Sequence, residues 1–132
     1  LLTPSAAQML MEASALAGMS IAQTGTTIPH ALSYLLTYQG GVPHGAAVGA
    51  FQANYLAHAE PGRRDAVLRA AGFSDAEELR ALVRRLAPMQ ADQALLEQSA
   101  ETVLNNPAKL RLCPYPINAA VMRELISGVQ TP

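Results

Sequence analysis

The sequence predicts an all-α fold, a bundle of several helices. Three observations carry this. Apolar residues recur at three- and four-residue steps between Pro and Gly breaks, which is helical periodicity. Half of the 132 residues are hydrophobic but only 5% are aromatic and none is tryptophan, so the core must come from Ala, Leu, Val, Ile and Met, which suits helix packing better than a sheet. No stretch alternates apolar and polar residues for long enough to build a sheet.

Each element can be placed in order. Ser5 is positioned to cap a first helix to about Gln23, with Met9, Leu10, Ala13, Leu16, Ala17 and Ser20 at helical spacing. Gly18 weakens an isolated helix by about 1 kcal/mol, so a second backbone is expected to pack close there. Ile28-Pro29-His30 and Val42-Pro43-His44 open two further helices, each with Pro in a first turn. One should end at Gln39-Gly40-Gly41 and the other near Ala59, before Pro61-Gly62. Small residues at Gly45, Ala46, Ala47, Gly49 and Ala50 imply close packing. A short helix over 63–71 closes at Gly72. Ser74-Asp75-Ala76-Glu77 is a capping-box pattern that opens a helix through Leu86, with Leu79, Leu82, Val83 and Leu86 inward. A helix over 94–105 stops at Asn106-Pro107, Cys113-Pro114-Tyr115-Pro116 is a loop, and a last helix runs from Pro116 or Ile117 to Ser127 before Gly128.

Composition narrows the classes of function. The formal charge is −1 and Lys109 is the only lysine, which is not the basic footprint of a nucleic-acid binder. The arginines Arg63, Arg64, Arg69, Arg80, Arg84 and Arg85 read as solvated helix faces among Asp65, Glu77 and Glu78. The longest weakly polar run, 9–22, contains Glu12, Ser14, Gly18 and Ser20 and is too short for a bilayer, which needs about 20 apolar residues. No signal-peptide pattern opens the chain, and Leu1 is expected to lie inside a longer natural chain. One cysteine, Cys113, allows no internal disulfide and fits a reducing, cytoplasmic compartment.

Chemistry concentrates in 25–51, where His30 and His44 each sit in a helix's first turn. From His30 to Tyr38 a helix rises about 12 Å, and the link 39–43, if extended, covers about 16 Å. The chain can therefore return along the first of these helices and set His44 beside His30. Two imidazoles from adjacent helix starts are half of a four-ligand metal site, although a histidine in an apolar helical chain is more often a hydrogen-bonded core or surface residue. His58, about 21 Å further along a continuous helix, cannot share a mononuclear site with His44 and reads as a helix-end residue. Cys113 reads as a packed thiol, not a nucleophile.

Over 17–45, AGMSIAQTGTTIPHALSYLLTYQGGVPHG, the chain resembles the C-terminal helical domain of iron-containing (group III) alcohol dehydrogenases, which has the dehydroquinate synthase-like fold. Fainter agreement around Asn106-Pro107 and the closing helix extends the similarity nearly to the end. The resemblance implies that His30 and His44, the latter in Pro43-His44-Gly45, are metal ligands. It also implies that an aspartate and a histidine completing the set, and the Gly-rich nucleotide-binding domain, lie outside this chain. Where many members carry a further histidine near substrate, this sequence has Tyr34, a candidate pocket residue on the His30 face.

The implied activity is hydride transfer between a primary alcohol or aldehyde and NAD or NADP, assisted by Fe(2+) or Zn(2+). The chain alone is expected to be inactive, and the whole enzyme could form a homo-oligomer. No nucleic acid or membrane is expected as a partner. A glycerol dehydrogenase or maleylacetate reductase would share the architecture. The reading from another class is a non-catalytic helical module in which His30 and His44 are only structural.

Overall fold

The computed structural model describes residues 2–129, and among them there are eight helices and no strand. They are α1 (Pro4–Thr24), α2 (Ile28–Tyr38), α3 (His44–Ala57), α4 (Pro61–Ala70), α5 (Ala76–Leu86), α6 (Gln93–Leu104), α7 (Pro107–Leu110) and α8 (Ala119–Ile126). The all-α expectation is met. Helix α2 is the centre: it packs against α3 on one side and α6 on the other, while α5 and α8 close over α3.

The centre is apolar for a local reason. Ile28, Leu32 and Leu36 recur every four residues along α2 and are fully buried, a single stripe of a 3.6-residue helix. Phe51 and Ala47 from α3 and Leu96 from α6 meet it, with Met122 and Leu125 of α8 in the same cluster. Burying a side chain the size of Phe51 contributes about 1.5–3 kcal/mol. Polar pins fix the helices relative to one another. Ser99 on α6 donates to the Leu32 carbonyl at 2.7 Å. Asn54 on α3 donates to the carbonyls of Glu124, Leu125 and Ser127 at 2.9–3.1 Å, which supplies partners to the orphan carbonyls at the end of α8.

Several boundaries differ from the sequence expectation, each for a definable reason. Helix α1 starts at Pro4, not after Ser5: proline's fixed φ suits a first helical position, and the Thr3 hydroxyl accepts from the Ala6 N–H. Pro43 is the N-cap of α3, not its first residue, so His44 leads the helix. The capping box at α5 is shifted by one. Asp75 caps the Glu78 N–H, and the Glu78 carboxylate reaches back to Ser74. Leu86 faces solvent instead of the core. Helix α8 begins at Ala119 because Asn118, not Pro116 or Ile117, caps it, and a short turn of helix at α7 follows Asn106-Pro107. Two arginines assigned to solvent are in fact tied inward. Arg80 donates to Asn54 Oδ1 at 2.7 Å and pairs with Glu77, and Arg84 donates to the Gly128 carbonyl.

The larger correction concerns α1. A Cβ at Gly18 would meet nothing within 4 Å, so no second backbone among the described residues approaches there. No residue of α1 is buried, and Met9, Leu10, Met11, Leu16 and Met19 are more than half exposed. The chain exposes 8227 Å², against about 6,700 Å² for a compact monomer of its mass. An uncovered helix of this length is where such a surplus belongs.

Candidate metal centre

Two helix starts build the site. Gly25, at φ +70°, ends α1 and turns the chain, a backbone conformation that a side chain would strain. Thr26 and Thr27 follow, and α2 carries Pro29 and His30 in its first turn. At the far end of α2, Gly41 at φ +66° reverses the direction, with the Val42 N–H donating to the Leu36 carbonyl at 3.1 Å. The extended stretch after it brings the chain back, so α3 starts beside the start of α2. The reach estimated from chain length is sufficient: the His30 and His44 rings are 5.5 Å apart, centroid to centroid, and inclined at 61°.

This separation suits a shared ion. With metal–nitrogen bonds of about 2.0–2.1 Å, two imidazoles on one tetrahedral centre hold their centroids about 5 Å apart. The hydrogen bonds also select the ligand-competent tautomer. Ser33, fully buried, donates its one proton to the His30 carbonyl at 2.8 Å. Its oxygen is 3.2 Å from His44 Nδ1. Having no second proton, Ser33 must accept from Nδ1–H, which leaves the lone pair of His44 on Nε2. An outer hydrogen bond that fixes the opposite nitrogen is the usual support of a metal-bound imidazole.

Electrostatics favours a neutral His30 ring as well. Burial pushes the His30 pKa below its ordinary value, and the neighbouring His44 and Lys109 push the same way. A neutral imidazole keeps the lone pair that a metal requires. His44 is exposed and His30 half-buried, so the pair opens outward. Among the described residues no group of three or more His, Cys, Asp or Glu side chains is placed to hold a metal. Two nitrogens are what these residues offer.

Tyr34 does belong to this corner. Its ring stacks on His44 at 6.3 Å with an interplanar angle of 8°, and its hydroxyl is 3.4 Å from Thr26 Oγ1. His58 does not belong to it. His58 caps the end of α3, where Nε2 is 3.2 Å from a Glu124 carboxylate oxygen and the ring lies beside Tyr115. Cys113 is half-buried, burial pushes its thiol upward, and Sγ lies 3.8 Å from the Lys109 carbonyl. A raised thiol is a poor nucleophile.

Ser33, Thr26 and Lys109 were not anticipated. Ser33 had a usable signal, as a hydroxyl three residues after His30 in the apolar helix that carries it. Lys109 had none, because its bonds to Thr26 span 83 residues.

A family model describing the C-terminal part of the Fe-containing alcohol dehydrogenase family matches residues 4–110. No curated protein and no solved structure matches the chain. The family match runs from the first residue of α1 through the last of α7 and includes both histidines. The chain therefore belongs to the Fe-containing alcohol dehydrogenase family.

Proposed function

We propose that this chain is the metal-binding helical part of an NAD(P)-dependent alcohol dehydrogenase, with His30 and His44 as two of its metal ligands. The observation that carries the reading is the His30–His44 pair with Ser33 holding His44 as the Nδ1–H tautomer. A divalent ion in such a site supplies Lewis-acid stabilisation to the oxygen of a primary alcohol or aldehyde. Iron(II) and zinc both accept imidazole, and iron is the ion the family description names.

The chain's own residues have separable tasks. His30 and His44 supply two imidazole nitrogens to the ion. Ser33 keeps the His44 ring oriented. Tyr34 stands as a wall of the substrate pocket, its ring against His44 and its hydroxyl exposed to what binds there. An aspartate and a further histidine, together with the nucleotide-binding domain, complete the enzyme from outside these residues. This chain by itself has no turnover and holds metal weakly. The lone unpaired thiol accords with a cytoplasmic protein.

The test is metal content and turnover of the protein that carries the full ligand set, as wild type and with His30→Ala and His44→Ala. Each variant should lose bound metal and alcohol oxidation together. Unchanged metal stoichiometry and activity in both would sink the ligand assignment. The non-catalytic alternative is favoured by one observation only, the exposed apolar surface of α1, which a partner or a second copy could cover.

A further inference from the structure

Lys109 is the chain's only lysine, and the fold carries it from α7 to the edge of the candidate metal centre. Its Nζ donates to the Thr26 carbonyl at 3.2 Å and to Thr26 Oγ1 at 3.1 Å. The same Thr26 Oγ1 is 3.4 Å from the Tyr34 hydroxyl, and the Tyr34 ring stacks on His44. Lysine, threonine, tyrosine and the two histidines thus form one continuous corner.

The charge of Lys109 is not matched there. Its two acceptors are neutral. The ion pairs among the described residues are His58–Glu124, Arg64–Asp65 and Arg80–Glu77, and Lys109 takes part in none of them. It is half-buried, where an uncompensated charge is costly. It also sits at the N-terminal end of α2, where the helix dipole disfavours a cation and favours an anion. A peg serving only to hold Thr26 needs two N–H groups and no charge. The ammonium has three N–H donors, so one remains beyond the two that Thr26 takes.

We infer that Lys109 is an anion-recognition residue of this site: its third N–H, on an ammonium that shares Thr26 Oγ1 with the Tyr34 hydroxyl, takes an anionic oxygen group, a carboxylate or a phosphate, of the molecule that binds beside His30 and His44. The inference rests on the metal-centre reading proposed above and adds a chemical class to it. A substrate carboxylate would make this a dehydrogenase of charged alcohols or carbonyl compounds. A phosphate would place part of the nucleotide at Thr26.

Because there is one lysine, incorporation of [ε-13C, ζ-15N]lysine gives one side-chain NMR signal from the 132-residue chain. Acetate and inorganic phosphate are titrated separately, with sodium chloride as the reference at equal ionic strength. The expected result is a saturable shift of the Lys109 signal, accompanied by the Tyr34 ring signals, with one of the two anions and not with chloride. Acetate saturating at the lower concentration assigns a carboxylate, and phosphate doing so assigns a phosphate. Read at Tyr34, Lys109→Met should weaken anion binding about tenfold, the effect of one charge-assisted hydrogen bond, and Lys109→Arg should restore most of it.

A linear drift equal to that of chloride with both anions overturns the inference. Should Lys109→Met unfold the chain, the wild-type titration still decides. Excess zinc in a parallel sample reads the metal centre separately, through the His30 and His44 ring signals. Anion saturation with silent histidines defeats the metal centre, while a histidine response with no anion saturation defeats Lys109 alone.

Discussion

Helices α1 and α2 are both apolar and almost free of charge, yet they live in opposite environments. Helix α1 has 21 residues and buries none, whereas α2 has 11 and buries Ile28, Pro29, Leu32, Ser33 and Leu36. The difference is not propensity. Helix α2 concentrates its apolar residues on a stripe that α3 and α6 cover. Helix α1 is apolar on several sides, and among the described residues no other helix makes substantial contact with it. Hydrophobicity says what a helix can bury, and neighbours decide what it does bury. A helix apolar all round is one that a larger core encloses.

The largest expected effect tests that contrast directly. Phe51→Ala removes a fully buried ring from the cluster around α2 and should cost about 3–5 kcal/mol of unfolding free energy. Leu16→Ala on α1 removes a side chain that is 64% exposed and should change stability by no more than about 0.5 kcal/mol. Urea unfolding of the two variants checks this. Amide exchange of the wild type should agree, with slow exchange over 28–38 and 44–57 and fast exchange over 4–24. Strong protection of α1, or a large loss from Leu16→Ala, would mean that a second copy covers the helix in solution, and either should then depend on concentration.

How far the residues could be read in advance follows the same division. Pro29, Pro43, Gly41, Gly72 and Gly128 mark breaks because each acts through its own backbone, so every helix except the four-residue α7 was legible, along with the approximate position of most ends. The meeting of His30 and His44 was legible too, since only fourteen residues separate them and chain length bounds their distance. What required the fold was every partnership across elements. Arg80 and Arg84 looked solvated until Asn54 and the Gly128 carbonyl came within reach. Gly18 suggested close packing that no neighbour supplies. Ser33 and Lys109 acquire roles only once a second helix is beside them.

A smaller effect is expected inside the site, on the buried side of the comparison. Ser33→Ala removes the acceptor that holds His44 Nδ1–H, while the Leu32 and Leu36 stripe stays intact. Metal affinity should fall about 10–100-fold, the usual loss for an outer hydrogen bond to a liganding imidazole, with thermal stability little changed. The 15N shifts of His44 check the cause: the wild type should show the Nδ1–H tautomer, and the variant a mixture. An unaltered tautomer ratio would remove Ser33 from the argument and leave the ring pair supported by spacing alone.

The smallest effect concerns how helix starts answer to acid, and it separates α1 from α4 and α5. Helix α1 is capped by a Thr3 hydroxyl, which does not titrate. Helix α4 is capped by the Glu60 carboxylate, which accepts from the Gly62 and Arg63 N–H groups at 2.9 Å. Those two bonds hold Glu60 below the ordinary carboxylate range, and the bonds from Ser74, which precedes α5, do the same for Glu78 in its first turn. A carboxylate whose pKa is depressed by folding stabilises fully above its unfolded value, near 4.5, and loses that contribution as pH falls through the folded one. Protection of the Gly62 and Arg63 N–H groups at the start of α4, and of the Ser74 N–H just ahead of α5, should therefore decline below about pH 4.5, while the Ala6 N–H at the start of α1 keeps whatever protection it has. Glu60→Gln should flatten the response at α4 and leave α5 unchanged. Equal acid sensitivity at all three helix starts would point to global unfolding, in which α1 takes part only because the rest of the chain has opened.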